Sequence, residues 1–434
     1  MQTKPLIGRF LRDETGTFTV LSLYFTAIAM IVGGLAIDYS NRTAKQTRLQ
    51  TAVDAVGHAA LLTKLRGTGD AQAKALEIAT SNLPDRLHGD AILAEDIVFG
   101  YWDDDAAEFV PDPHARDAVQ VTARRNVARD NIVTNLMLQA IGYDGFEVET
   151  DTVFDLWEPP CFLNGFMADQ SVDIQGNNQF GPYFCLHGNT HVKLSSNNGF
   201  DPGAIVSMPI PEDLQLPSSG FDSNADLAEA LRYSYYPFNI LNRLDDIVAE
   251  LLSGGEALPD YIVGLGPIAL SGNKLAPEDF ETGRIHTMLN CSGNQQVTLD
   301  PGLFSGFVFV TNCKVKFNQG VALEDVVIAT TNDDPKSFNS PSGLTLGRPD
   351  DCAPGGGVAL LTYGGFEVAS DLKVHGSQVV ARGSITFSAQ AQGIQGVSMI
   401  AGGNIDSTSN IDMNGCPPEG MDPVTLERVV RMVR

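Results

Sequence analysis

The chain has 434 residues, 43% hydrophobic and 19% charged, enough for two or three separately cored domains and too apolar for a disordered polymer. Its formal net charge is −25, and residues 1–48 hold six basic groups against three acidic ones, leaving 22 basic and 50 acidic residues beyond them. A surface this acidic repels nucleic acid and anionic headgroups, which excludes nucleic-acid binding from the expected functions.

The first predicted element is an uncharged apolar run, FTVLSLYFTAIAMIVGGLAI, from Phe18 to Ile37. At 1.5 Å per residue a helix of this length matches a hydrocarbon core of roughly 30 Å and satisfies its own backbone groups. It is read as a transmembrane helix (18–37) preceded by a cytoplasmic tail (1–17). Gly33 and Gly34 would let a neighbouring helix approach closely, but glycines simply tolerated in an apolar helix are the favoured reading. A cleaved signal peptide is the competing reading. The run is longer than a usual signal core, however, and no convincing small-x-small cleavage site follows it. Helical spacing continues through residues 38–65, where Ala44, Ala52, Val53, Val56, Ala60 and Leu62 approximate one face.

Residues 66–158 are expected to form a small α+β domain. A helix is predicted over Ala71–Leu83, stopped by Pro84, followed by strands at Ile92–Phe99, Glu108–Val110 and Ala118–Ala123. A second helix is predicted over Ile132–Ile141 with Gly142 as its C-cap, and Phe146 and Val148 open another strand. Asp103, Asp104 and Asp105 read as a solvated turn, because they lack the spacing of a calcium loop.

From residue 159 to 434 the rhythm changes to short alternating strands between glycine, asparagine and serine turns. Three apolar tracks repeat at 19 or 20 residues: Leu361, Val380 and Ile400; Phe366, Ile385 and Ile405; Val374, Ile394 and Met413. Such tracks mark stacked coils that bury their inward side chains against one another, so a mainly-β repeat domain resembling a β-solenoid is expected, with a sandwich as the alternative. A helical insertion is read near 224–253, spanning Ala225–Leu252 with Ser223 as cap and Pro237 as interruption.

The six cysteines, Cys161, Cys185, Cys291, Cys313, Cys352 and Cys416, all lie in this distal part, without Cys-x-x-Cys spacing. Their even number suggests disulfides in an oxidising compartment, against a competing reading of buried free thiols. Pairing in chain order is the simplest of fifteen connectivities. An oxidising compartment would place the bulk of the chain outside the cytoplasm, an orientation that the nearly balanced basic flanks of the apolar run leave open. Cys185, His187 and His191 offer a thiol and two imidazoles. The glycine turn among them favours a disulfide with two exposed histidines over a zinc site. No nucleophile elbow, phosphate-binding loop or zinc-helix motif occurs, so no cofactor, metal or catalysis is expected.

The N-terminal segment resembles that of TadG-like proteins of the tight-adherence (Flp) pilus assembly system. The resemblance rests on Arg12 and Gly16, then Ala36, Ile37, Asp38 and Tyr39 at the end of the apolar run, then Leu49, Gln50, Ala52, Asp54 and Ala55. It is specific over about fifty residues and looser to residue 160. It implies a single-pass inner-membrane protein of a Gram-negative bacterium, with its body in the periplasm, contributing to pilus assembly and adhesion beside other pilus-assembly proteins. Neither Gly8 nor Gly16 is followed by the charge pattern of a processed pilin, so an uncleaved anchor is expected. The metal-binding Asp-x-Ser-x-Ser string of some TadG-like proteins is absent, and Asp406-Ser-Thr-Ser409 does not replace it. An envelope solenoid acting on polysaccharide through Glu367, Asp371 or Asp406 is the alternative function.

Overall fold

The computed structural model describes residues 16–434 apart from 68, 116, 294, 408, 409 and 422. The chain divides into two compact units, one of residues 1–157 with 430–434 and one of residues 158–429. Arg12 and the tail 1–15 lie outside the described residues, as do Thr408 and Ser409.

In the first unit a single helix, α1, runs unbroken from Gly16 to Leu65. Its composition changes along its length, and its burial changes with it. Phe18, Leu23, Tyr24, Phe25, Met30 and Ile31 are exposed, whereas Leu49, Ala52, Val53, Val56, Ala60, Leu61 and Leu65 are buried. The buried face packs on helix α2 (Ala71–Asn82) and on an antiparallel sheet. Asp70 caps α2 by accepting the Gln72 and Ala73 N–H groups, two of the donors that a helix start leaves unsatisfied. The sheet contains β1 (Ile97–Asp103), β2 (Glu108–Pro111), β3 (Ala118–Arg125) and β4 (Val148–Trp157), in the order β2-β1-β3-β4. Strand Val429–Met432 adds to the free side of β4, and the Arg431 guanidinium bonds Asp155 at 2.7 Å. Gly57 lets the helix meet the sheet, since a Cβ there would lie 2.7 Å from the Phe154 ring.

The expected helix over Ile132–Ile141 is not formed. Residues Val133–Thr134 are extended and pair with Gly145–Phe146, and only Leu138–Ile141 makes a short 3₁₀ turn, closed by Gly142 at φ +85°. The amides that would have propagated a helix, those of Leu136, Met137 and Leu138, donate to the Asp38 carboxylate instead.

The second unit is built of parallel ladders, and its strands pair with strands one coil later. All three sequence tracks are ladder partners. Leu361 pairs with Val380 and Val380 with Ile400; Phe366 pairs with Ile385 and Ile385 with Ile405; Val374 pairs with Ile394 and Ile394 with Met413. The order of coils along the stack differs from their order in the chain. Residues 398–413 lie directly on residues 165–180, through Ile400–Met167, Asp406–Asp173 and Met413–Phe180. From that seam, coils 185–200, 205–225 and 231–233 extend one way. The coils from 380 back to 264 extend the other way. At ~4.8 Å per ladder step the stack is about 50 Å long.

The chain therefore enters and leaves this unit in the middle of the stack. The segment 234–262 connects its two ends, running along the outside of the first ladder, which holds Arg284–Met288, Val358–Thr362, Gly165–Ala168 and Cys185–Gly188. A second ladder holds Gln296–Leu299, Ile405–Ser407, Ser171–Ile174 and His191–Leu194. The connecting segment carries α3 (Asn239–Asn242) and α4 (Leu244–Ser253), whose Ile240, Leu244, Ile247, Val248 and Leu251 cover Ile285, Val308, Val310, Val327, Leu361, Val380 and Ile400. The first ladder is apolar on both faces, as parallel sheets covered on both sides are. The insertion is shorter than expected. Asn224–Ala225 is a strand of the third coil, a single helical turn at Leu227–Ala230 follows Asp226 at φ +60°, Leu231–Tyr233 is extended again, and the Ser223 hydroxyl bonds Gly220 and Ser219 rather than capping.

Three disulfides join Cys161 to Cys185, Cys291 to Cys313 and Cys352 to Cys416, the pairing in chain order.

Candidate functional site

The most distinctive site lies where the exposed half of α1 gives way to its buried half. Asp38 occupies that boundary and is 1% exposed. Its carboxylate accepts the backbone N–H groups of Leu136 at 2.6 Å, Met137 at 3.0 Å and Leu138 at 2.7 Å. Desolvation opposes the charged form, but the three amides prevail and hold the carboxyl below the ordinary range. One turn further, the Asn41 amide donates to the Thr134 carbonyl at 3.4 Å. One turn earlier, Gly34 admits the loop, because a Cβ there would fall 2.8 Å from the Met137 Cβ. A Cβ on Gly33 would meet nothing within 4 Å. Of the glycine pair, it is Gly34 that serves a close approach, and the approach is made by the chain's own loop.

The remaining motif residues stitch the helix to its unit. Leu49 is in the core, and the Gln50 amide donates to Asp54 at 2.9 Å and to the Asp151 carbonyl while accepting from the Thr150 hydroxyl. Tyr39 is exposed, and its carbonyl accepts the Thr43 hydroxyl. Gly16 begins α1.

In the second unit the sequence candidates are dispersed. Cys185 is consumed by its disulfide. His187 is fully buried, contrary to the expectation of an exposed ring. It lies 2.7 Å from the Ser207 hydroxyl and 2.9 Å from Asn189 Oδ1, and burial pushes its pKa down to about 4. It sits on the doubly covered first ladder, whereas His191 belongs to the second. Among the described residues no group of three or more His, Cys, Asp or Glu is placed to hold a metal. Asp103 Oδ1 accepts the Asp105 and Ala106 N–H groups, and Asp104 pairs with Arg431 at 3.1 Å.

Glu367 and Asp406 share the second ladder, separated by Thr386 and hence by about 10 Å. Glu367 bonds Lys336 at 2.8 Å, and Asp371 lies apart at a break in register with φ +54°. The neighbour that sequence reasoning missed is Asp173, the direct partner of Asp406 and itself paired with Lys193. Partial burial and the Asp173 charge push Asp406 up. No local signal joins these two, because their adjacency depends on the closure of the stack.

An apolar helix long enough to cross a membrane, an α+β unit and a disulfide-bonded unit of parallel β-ladders define the class of this protein. Residues 165–417 match the family described as Domain of unknown function (DUF7867), and the chain belongs to that family. No curated protein and no solved structure matches the chain.

Proposed function

We propose that the chain is a single-pass envelope protein, anchored by Phe18–Ile37 with its N-terminus in the cytoplasm, and that it is a structural component of a tight-adherence pilus assembly system. On this reading the second unit is a β-solenoid and both units lie in the periplasm. The observation that carries the anchor is the division of α1: its first half is apolar and uncovered, while its second half is the core of a folded unit. Three disulfides support an oxidising compartment, and hence this orientation. The pilus role rests on the resemblance carried by Arg12, Gly16, Asp38, Tyr39, Leu49, Gln50 and Asp54. A scaffold needs no catalytic group, and its partners would be the bilayer and other pilus-assembly proteins.

Protease digestion of spheroplasts carrying a C-terminally tagged chain tests the orientation. Loss of the tag supports it, and full protection with intact disulfides absent refutes it. Deletion of the gene with loss of surface pili, restored by the full chain, tests the role.

The second reading, a solenoid acting on polysaccharide, is favoured by one observation, the Asp406 and Asp173 carboxylates on adjacent coils of an exposed ladder. Depolymerisation of an acidic polysaccharide by the purified protein, abolished by Asp173→Asn, would establish it over the scaffold.

A further inference from the structure

The loop Leu136–Tyr143 projects the sequence LMLQAIGY beside the end of the exposed apolar stretch of α1. Leu136 is 71% exposed and Ile141 78%, with Met137 and Tyr143 about half exposed. Apolar side chains this exposed, clustered in one short loop, mark an interaction surface. Most of the loop's backbone N–H groups are satisfied within the protein. Asp38 takes three of its amides, Ala140 and Gly142 donate to the carbonyls of Met137 and Gln139, and Tyr143 donates to Leu138. The Asn135 amide accounts for the Tyr143 carbonyl. Apolar side chains outside with satisfied amides inside are what a water-poor medium demands of a non-helical segment. Immediately beyond, Tyr143 meets Phe146 edge-on at 5.6 Å, and the Arg42 guanidinium lies 5.5 Å from the Phe146 ring. Tyrosine and arginine at this level are suited to the headgroup region.

We propose that Leu136–Tyr143 inserts into the headgroup–acyl boundary of the bilayer, as a second membrane contact clamped to the anchor by Asp38. The occupant is lipid because the loop is continuous with the uncovered apolar length of α1 and is fixed to it at Gly34, Asp38 and Asn41. The inference rests on the anchor reading and adds to it. One helix alone leaves a domain free to tilt and spin over the membrane, whereas a helix with a rigid side foot fixes the height and inclination of the first unit.

Tryptophan quenching in the full-length, disulfide-intact chain tests it, after replacement of Trp102 and Trp157 by Phe and reconstitution into nanodiscs of phosphatidylethanolamine and phosphatidylglycerol. Three single-tryptophan variants are compared, Leu23→Trp in the apolar stretch, Ile141→Trp in the loop and Tyr101→Trp on β1. Tyr101 serves as the aqueous reference, because β1 continues past the end of α1 marked by the Lys64–Asp117 bond, about 39 Å along the helix from Asp38. Lipid brominated near the glycerol end is expected to remove about half or more of the Ile141→Trp emission and leave Tyr101→Trp unchanged. Lipid brominated near the chain end is expected to quench Leu23→Trp. Adding Asp38→Ala to the loop variant should reduce its quenching at least about twofold without altering that of Leu23→Trp. If Leu23→Trp is quenched and Ile141→Trp is instead open to aqueous acrylamide, the loop proposal fails and the anchor stands. If neither is quenched by lipid, the anchor reading itself has failed. Shielding of Ile141→Trp from both quenchers would mean that protein covers the loop, and would overturn the proposal.

Discussion

The backbone N–H of Ile411 donates to Asn178 Oδ1 at 3.1 Å, although 233 residues separate them. Asn178 is the first of three buried asparagines stacked through successive coils. Its side-chain N–H reaches Asn198 Oδ1 at 3.0 Å, and that of Asn198 reaches Asn224 Oδ1 at 3.2 Å. Each carboxamide also bonds a carbonyl of its own coil, Gln175, Ser195 and Gly220 respectively. The ladder continues across the seam into the coil that closes the stack.

Asn198→Ala should therefore be costly. It strands the Asn178 backbone N–H, one Asn178 side-chain N–H and the Ser195 carbonyl without replacing their partner, and buried groups left unpaired cost about 1–3 kcal/mol each. We expect a loss of about 3 kcal/mol, read as a lower denaturation midpoint of the second unit. Asn198→Asp should do no better, since it removes the donor and buries a charge. A midpoint within error of the parent would refute this account of the ladder.

The Asn-Asn-x-Phe strings at Asn177–Phe180 and Asn197–Phe200 stand at the same 20-residue spacing as the apolar tracks, a legible sign of the repeat that a reading by apolar side chains alone passes over. The tracks at 361–413 were legible for the same reason: ladder neighbours in a regular stack are also neighbours in periodicity. The seam between 398–413 and 165–180 was not, because no period connects coils so far apart. Helical propensity at Ile132–Ile141 misled, since Asp38, almost a hundred residues earlier, captures the amides that a helix would have used. Exposure of His187 was misjudged because the α3–α4 segment covers the ladder that carries it, bringing Tyr236 against its ring.

Glu427 is 2% exposed, accepting the Ile240 N–H at 2.7 Å and the Asn239 side-chain N–H at 3.0 Å at the start of α3. Burial pushes its pKa up to about 7 from 4.5. A raised carboxyl favours folding most when protonated in both states, below pH 4.5, and that advantage is lost as pH rises through about 7. The shift corresponds to a loss on the order of 3 kcal/mol across this window. Glu427→Gln, with the Asn239 amide turned to meet it, should flatten the dependence and raise the thermal midpoint at pH 8. An unchanged pH profile would show that Glu427 does not titrate in this range.

Asp38 behaves in the opposite sense. Its pKa lies below 3.8, so its contribution is present above that value and lost only as pH falls through the lowered folded one. Hydrogen exchange should find the Leu136, Met137 and Leu138 amides protected at pH 5. Asp38→Ala should expose all three while leaving the Val53 and Val56 amides of α1 protected. Retained protection in the variant would sink the clamp.

The disulfides should differ in worth. Cys352–Cys416 closes 64 residues and Cys291–Cys313 closes 22. Chain-entropy reasoning assigns about 4 kcal/mol to the longer loop and about 3 kcal/mol to the shorter. Paired Cys→Ser replacements compared by denaturant midpoint should rank in that order. The reverse order would mean that native-state contacts, rather than the unfolded chain, decide their value.

Because the chain enters and leaves the second unit at mid-stack, tension applied to its two tails would meet covalent staples before it met hydrogen bonds. Cys161 ties the incoming segment to the coil that begins at Cys185, and Cys416 ties the outgoing one to Cys352. Neither end of the stack carries a tail, so neither can be peeled from its tip. A coil duplicated at either tip would lengthen the rod without moving its point of attachment, so that reach and grip can vary independently in such a protein.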